Sequence, residues 1–384
     1  MNKKLYLLAA ALIAFVLRLF FFDYASGDYN QFLKPWMDEF RANGGFAALG
    51  TTTSNYNLLY LYFLALFSYL PASFNDLYLI KLLSVAFDMV LALTMYKIVE
   101  GRSERAAQVI FAVTLFLPTF ISNSAQWAQC DSIYAACCLL SYYFVMNGKP
   151  KTGVIMAGLA FAFKLQAIFY LPMFLIFLAA RKVKLRHAAL FPTVYAVTAL
   201  PAMFLGWTPA RIVGIYVDQA SIYSSYLTLN APSVFALIKE RPAGVPLSSI
   251  GIVLAALAFI VLTVWAFVSR DKLDDRAVAV CALLTTLGLP WLLPSMHERY
   301  FYLAEAFALL YVSYYPKRWY IAVMTTLASA GGYWAYLVKG VLSDDLDVYA
   351  LLFLEVLILV SCWVVRDYKH SDIRQDEVLR HEEG

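Results

Sequence analysis

The sequence predicts an all-α protein, a polytopic transmembrane bundle of about 12 membrane helices that includes one short hairpin. Of the 384 residues, 62% are hydrophobic and only 15% are charged, a composition that water-soluble domains of this size do not have. Apolar runs of about 15 to 22 residues recur along the chain, which is the length that a helix needs to cross a bilayer. Aromatic residues make up 16% of the chain, as is typical of side chains at membrane interfaces.

The same composition excludes several classes of protein. The net charge is +4, and the basic residues are scattered over short loops, so no nucleic-acid-binding face is indicated. The 5 cysteines show no metal-ligand spacing and their number is odd, which argues against a zinc site or a disulfide framework. We therefore expect no metal and no cofactor. The first apolar run has no small-residue cleavage site after it and is predicted to be a retained anchor.

The apolar runs define the individual elements. Membrane helices are predicted over residues 5–22, 77–97, 106–122, 132–147, 153–180, 188–206, 247–269, 277–294, 300–314, 319–338 and 349–365. The run 153–180 has basic segments at both ends, so it is predicted to be two short helices that meet near Lys164 and Gln166. Residues 1–365 are expected to form a single catalytic domain, and residues 366–384 a charged cytoplasmic tail.

The distribution of basic residues sets the expected orientation. With both termini in the cytoplasm, 20 of the 30 lysines and arginines lie inside, a strong positive-inside bias. If residues 56–72 crossed the membrane, this bias would be inverted, so we expect them to lie on or dip into the outer face. Residues 30–42 are predicted to be a second surface helix of the first extracytoplasmic loop, with Trp36, Met37 and Phe40 on its apolar face.

With this topology, three outer loops collect the polar side chains that could carry chemistry, and the cytoplasmic loops hold no comparable set. The outer residues are Asp23, Asp28, Asn30, Gln31, Lys34, Gln126, Trp127, Gln129, Asp131, His297, Glu298 and Arg299. A reaction on the extracytoplasmic face of a plasma (inner) membrane is therefore expected.

Asp28 is the strongest candidate in the first loop. It follows Gly27 at the exit of the first helix, where a carboxylate could act as general base on a hydroxyl group. The alternative is that Asp28 only caps the surface helix that starts near Asn30. Tyr29 and Lys34 are candidate substrate-binding neighbours.

Lys164 and Gln166 lie at the tip of the predicted hairpin. A lysine in lipid costs roughly 2.5–3.5 kcal/mol on insertion scales, so it should face a cavity or an anion. A lipid phosphate would supply that anion, and snorkelling to the surface is the alternative. A second buried charge, Asp88, is expected to pair with Arg18.

Two further loops contribute candidates. Arg299 could bind a phosphate and His297 could donate to it, with Glu298 between them; an ordinary interfacial charge cluster is the alternative. Trp127 and Gln129 could hold a sugar. Asp131 is a candidate for substrate binding or, equally, for the N-cap of the following helix.

The order of these motifs resembles the GT-C superfamily of polytopic glycosyltransferases. A helix precedes Gly-Asp-Tyr and a long outer loop; Trp-x-Gln-x-Asp-Ser, Lys-x-Gln and Met-His-Glu-Arg-Tyr follow. Over residues 1–310 the chain is similar to bacterial relatives of the GPI mannosyltransferase 2 group. It is more distantly similar to the dolichyl-phosphate-glucose glucosyltransferases, which have Lys-Ser where this chain has Arg299-Tyr300.

This resemblance implies an inverting, metal-independent transfer of a hexose, mannose or glucose, from a polyprenyl-phosphate donor to a hydroxyl acceptor. The acceptor would be an extracytoplasmic saccharide or glycolipid of the cell envelope. It implies Asp28 as the base, and Lys164, Gln166 and the His297–Arg299 segment as contacts of the donor.

Two rival functions remain open. A transporter or flippase of lipid-linked saccharides would need polar groups along a path through the bilayer, whereas only Asp88, Lys164, Glu305 and Glu355 are predicted inside it. A polymerase of such saccharides would favour an Arg-rich late loop, and the loop 207–246 has only two arginines.

Overall fold

The computed structural model describes the backbone of residues 3–240, 242–338 and 346–382, and the side chains of these residues as far as position 364. The chain divides into two compact units. The first contains Met1–Phe174 and Lys182–Leu227, and the second contains Leu175–Arg181 and Thr228–Gly384. That residues 1–365 form a single catalytic domain stays a prediction.

The described part of the first unit is helical. Its α-helices, with α9 continuing into the second unit, are α1 (Lys3–Leu19), α2 (Lys34–Ala42), α3 (Leu58–Phe67), α4 (Asp76–Val99), α5 (Glu104–Phe116), α6 (Pro118–Ile121), α7 (Asp131–Met146), α8 (Pro150–Phe163), α9 (Met173–Ala179), α10 (Leu190–Phe204) and α11 (Pro209–Ser221). Short 3₁₀ or π turns occupy Tyr29–Leu33, Gly45–Gly50, Ser122–Gln126, Leu165–Phe169 and Leu185–Ala189. Within the predicted loop 207–246, the structure contains α11.

The second unit is described by its own elements. Its helices are α12 (Leu247–Val268), α13 (Asp275–Leu292), α14 (Tyr302–Tyr314), α15 (Tyr320–Leu337) and α16 (Leu346–Glu382). Two residues of β1 (Thr228–Leu229) pair in parallel with β2 (Met296–His297). The predicted all-α fold class is therefore confirmed. Among the described residues, the short β1–β2 pair is the non-helical exception.

Several helices start where the sequence supplies a capping side chain. Asn75 Oδ1 accepts from the backbone N–H of Leu77 at 3.0 Å at the start of α4. Ser103 Oγ accepts from Ala106 N at 3.2 Å at the start of α5. Each cap satisfies one of the backbone donors that the first turn of a helix leaves unpaired.

Several helices have the length and the apolar composition that are typical of membrane proteins. Five described helices could each cross a bilayer: Asp76–Val99, Leu185–Phe204, Leu247–Val268, Asp275–Leu292 and Leu346–Val364. Glu104–Phe116 and Pro118–Gln126, bent by 47°, make a sixth if they form one span. The predicted number of about 12 is not confirmed. Other apolar runs form helices of 10–17 residues, and α1 has 17 residues.

The two helices predicted for the first outer loop are present. Trp36, Met37 and Phe40 of α2 are all buried, as the apolar face of a surface helix requires. They belong to one apolar core with Leu61 and Leu64 of α3. With 10 residues, α3 is too short to span a bilayer.

The predicted ion pair between α1 and α4 is confirmed. Arg18 Nη2 lies 2.9 Å from Asp88 Oδ2, with 0% and 1% of the side chains exposed. The guanidinium also donates to the carbonyl oxygens of Ala14, at 3.1 Å, and Leu115, at 2.9 Å. A buried charge pair is tolerated because these bonds replace the water that both groups have lost.

Replacing Arg18 by Met should lower the stability by about 3–5 kcal/mol, because it leaves the Asp88 carboxylate buried without its counter-charge. Thermal unfolding of the purified protein in detergent measures the effect. The double variant Arg18→Met/Asp88→Leu should recover most of the loss, since neither charge then remains. A double variant as unstable as the sum of the two single variants would contradict this account.

Candidate active site

The segment that carries Asp28 begins at a fixed point, the end of α1. Lys81 of α4 is completely buried. Its Nζ donates to the carbonyl oxygens of Phe21, Phe22 and Tyr24 at 2.7, 3.0 and 2.7 Å. These carbonyls belong to the turn that follows α1, which ends at Leu19. The buried lysine therefore fixes the direction in which the chain leaves α1, a role that sequence reasoning missed.

Ser26 fixes the next step. Its hydroxyl donates to the carbonyl oxygen of Trp127 at 2.7 Å and accepts from the backbone N–H of Tyr29 at 3.1 Å. Ser26 is 1% exposed. It joins the segment between α1 and α2 to the loop before α7, and no motif in the sequence singled it out.

The Asp28 carboxylate is held by two side chains of that second loop. Its Oδ2 accepts from Trp127 Nε1 at 3.1 Å and from Gln129 Nε2 at 2.6 Å. Trp127 and Gln129 are buried, whereas Asp28 is partly exposed. Asp28 occupies the N-cap position of the turn Tyr29–Leu33 but makes no side-chain cap bond there. The structure thus rejects capping as its role and brings three predicted site residues together.

The loop before α7 is anchored on two buried carboxylates. Ser124 Oγ donates to Asp88 Oδ2 at 2.6 Å, the same oxygen that Arg18 contacts. Asn123 Nδ2 donates to Asp131 Oδ2 at 2.9 Å. The Asn123 carbonyl accepts from the backbone N–H of Gln129 at 2.9 Å. The residue that bonds to Asp131 therefore also fixes the backbone of Gln129, which holds Asp28.

Lys164 bonds to a carboxylate of the protein itself. Its Nζ lies 2.7 Å from Asp131 Oδ1, with 8% and 0% of the side chains exposed. Asp131 is the first residue of α7, and Cys130 takes the cap position, so the N-cap alternative for Asp131 is wrong. A lysine buried among apolar helices needs an anion, and in this structure Asp131 supplies it. The snorkelling alternative is also excluded.

The backbone at Lys164 breaks the helix as predicted. Lys164 is extended, with φ −155° and ψ 135°, between α8 and the turn Leu165–Phe169. Gln166 is 9% exposed. Within the described part of the chain, Asp131 and Lys164 connect α7 to this break in the hairpin.

Tyr29 and Lys34 do not join Asp28. Tyr29 lies in the apolar core of the first unit, where burial, helped by the charges of Asp76 and Asp38, raises its pKa to about 12. Its phenol is therefore protonated at neutral pH. Lys34 is exposed and pairs with Asp38, one helical turn away, at 2.7 Å.

The late cluster belongs to the second unit. Glu298 is buried, and its Oε1 lies 2.9 Å from Arg299 Nη1 and 4.0 Å from His297 Nδ1. Gly332 of α15 lets this segment pack closely, because a Cβ there would lie 3.0 Å from both Glu298 Cβ and Asn230 O. Glu298 and Arg299 thus form an ion pair, and His297 lies beside Glu298.

In the described residues, no three His, Cys, Asp or Glu side chains are grouped so that they could hold a metal ion. The described site consists of a partly exposed carboxylate, an indole and an amide that donate to it, and a buried ion pair behind them. Such a carboxylate has the geometry to accept a proton from a hydroxyl group.

Replacing Ser26 by Ala should destabilise the protein by about 1–3 kcal/mol, because a buried carbonyl and a buried N–H lose their partner. Thermal unfolding measures the loss. Ser68→Ala is the matched control, since that hydroxyl donates to Ala65 O within its own turn, at 2.7 Å, and its loss should be smaller. Equal losses for the two variants would argue against the connecting role of Ser26.

Residues 55–295 match the model of glycosyltransferase family 87. The match covers more than half of the 384 residues, and the chain belongs to this family of membrane glycosyltransferases of the GT-C type. It includes Trp127, Gln129, Asp131 and Lys164 and does not reach Asp28 or His297. No curated protein matches the chain, and the finer resemblance to GPI mannosyltransferase 2 relatives and dolichyl-phosphate-glucose glucosyltransferases has no support.

Proposed function

We propose that this member of glycosyltransferase family 87 transfers a hexose from a polyprenyl-phosphate donor to a hydroxyl acceptor on the extracytoplasmic face of the plasma membrane. The reaction inverts the anomeric centre, and Asp28 is the general base. The observation that carries the proposal is the Asp28 carboxylate, partly exposed and held through Oδ2 by Trp127 and Gln129.

A general base must be fixed within hydrogen-bond reach of the proton that it removes. Asp28 is fixed by side chains about 100 positions further along the chain rather than by its own helix. A carboxylate that only capped a helix or balanced a neighbouring cation would not need an indole and an amide aimed at one oxygen.

The proposed step is a single displacement. The acceptor hydroxyl oxygen forms a bond to the anomeric carbon as its proton moves to Asp28. The bond between the anomeric carbon and the phosphate oxygen breaks on the opposite face, and the electron pair leaves with the polyprenyl phosphate. Holding acceptor and base together removes much of the entropic barrier to such a reaction.

The location rests on the charge bias of the sequence. The positive-inside distribution directs the loop of Asp28 and the loop of Trp127 and Gln129 to the extracytoplasmic side. Polyprenyl-phosphate sugars keep their head group at a membrane surface, and a short turn separates Asp28 from Leu19, the last residue of the 17-residue helix α1. A saccharide or glycolipid of the cell envelope is the proposed acceptor.

The contact with the donor is proposed for Gln166. Its side chain is nine-tenths buried. The amide follows Lys164 by two residues at the hairpin break, and it can donate to a phosphate or a sugar oxygen.

Replacing Asp28 by Asn should lower kcat at least 1,000-fold, because the amide cannot accept the proton, while the protein stays folded. Proteoliposomes with radiolabelled polyprenyl-phosphate mannose or glucose, and envelope membranes as acceptor, measure hexose transfer. Asp23→Asn is the matched control from the same loop; Asp23 bonds to Tyr78, and its variant should keep transfer within about threefold. Transfer at the wild-type rate by Asp28→Asn would remove Asp28 from the role of base.

The Lys164→Ala variant separates two roles of that lysine. Since Lys164 pairs with Asp131, we expect a lower unfolding temperature and a lower kcat, with the donor KM within about threefold of wild type. The double variant Lys164→Ala/Asp131→Ala should regain stability. A donor KM raised more than tenfold at an unchanged unfolding temperature would instead make Lys164 a direct contact of the donor phosphate.

A further inference from the structure

Ala128 has a backbone conformation that alanine seldom adopts. Its φ is +63°, in the left-handed region where the Cβ of an L-residue is crowded. It is also completely buried. Strained residues of this kind persist only where the surrounding structure enforces them, and they concentrate at functional sites.

The strained residue lies between the two donors to Asp28. Trp127 is helical, with φ −82° and ψ −20°. If Ala128 continued that helix, the side chains of Trp127 and Gln129 would point about 160° apart around the axis. They could not then converge on one carboxylate oxygen. The left-handed turn at Ala128 redirects the chain so that both reach Asp28 Oδ2, at 3.1 and 2.6 Å.

Hydrogen bonds on both sides enforce the turn. Before Ala128, Trp127 N donates to Ser122 O at 2.8 Å and Trp127 O accepts from Ser26 Oγ at 2.7 Å. After it, Gln129 N donates to Asn123 O at 2.9 Å. The two flanking peptides are therefore fixed, and the residue between them must absorb the change in direction.

We propose that Ala128 is a positioning residue: its left-handed backbone aims Trp127 and Gln129 at Asp28 and thereby sets the orientation of the base for hexose transfer. The role depends on the proposed function of Asp28. It predicts that activity follows the backbone conformation that position 128 can adopt rather than the volume of its side chain.

A pair of glycine variants tests the conformation. Ala128 and Ala125 are both completely buried in the same loop, but of the two only Ala128 has a positive φ. Glycine is unstrained at positive φ and costs stability in a helical segment. Ala128→Gly should unfold at or above the wild-type temperature with kcat within twofold, and Ala125→Gly should unfold about 1–3 °C lower. A loss for Ala128→Gly equal to that of Ala125→Gly overturns the proposal.

A pair of valine variants tests the positioning. A β-branched residue is excluded from the left-handed region, so Ala128→Val should lower kcat about 100-fold with the donor KM within threefold. Ala125→Val adds the same volume to the same loop, and the folded protein should keep kcat within about threefold. Wild-type kcat in Ala128→Val, or an equal kcat loss in Ala125→Val, overturns the proposal.

If Ala128→Val does not fold, a variant with a shorter amide side chain at position 129 tests the same positioning role. Gln129→Asn retains the amide but draws it back by one methylene, so it should lose kcat as strongly as Ala128→Val is expected to, again with little change in KM. An unchanged kcat in Gln129→Asn overturns the positioning role. Transfer by Asp28→Asn at the wild-type rate shows instead that the proposed function has failed.

Discussion

The candidate site depends on two buried carboxylates, each neutralised by one basic side chain. Arg18 pairs with Asp88, and Lys164 pairs with Asp131. Removing such charges from water costs several kcal/mol per ion, and a lone buried charge would not be tolerated. Because each carboxylate also accepts a hydrogen bond from the loop before α7, that loop cannot shift without breaking one of them.

This arrangement explains how a partly exposed residue becomes an ordered one. Asp28 lies on the segment between α1 and α2, where a free carboxylate would sample many orientations. It is instead bonded to Trp127 and Gln129, whose backbone is bonded to Ser26 and Asn123. The ion pairs buried among the helices hold the loop before α7 in place, and this loop in turn fixes the solvent-accessible carboxylate of Asp28. A catalytic group needs this kind of support from rigid elements behind it.

The sequence identified many of the parts correctly. Composition predicted the helical membrane class, and the apolar spacing of Trp36, Met37 and Phe40 predicted the buried face of α2. The Arg18–Asp88 pair was predictable because a charged side chain within an apolar helix is costly unless a group of opposite charge pairs with it. The helix break at Lys164 followed from the basic segments at both ends of its run, and the superfamily followed from the order of the motifs.

What the sequence determined by itself was the set of elements and the chemistry of their polar side chains, because hydrophobic spacing and charge act locally along the chain. Only the tertiary structure decided which groups meet. It paired Lys164 with Asp131, and it brought Asp28 into hydrogen-bond contact with Trp127 and Gln129. Such contacts join residues up to about 100 positions apart, and helix packing brings these residues together. The roles of Ser26, Lys81 and the left-handed Ala128 could not be predicted from the sequence. Each role depends on backbone groups that only the folded structure brings next to the residue.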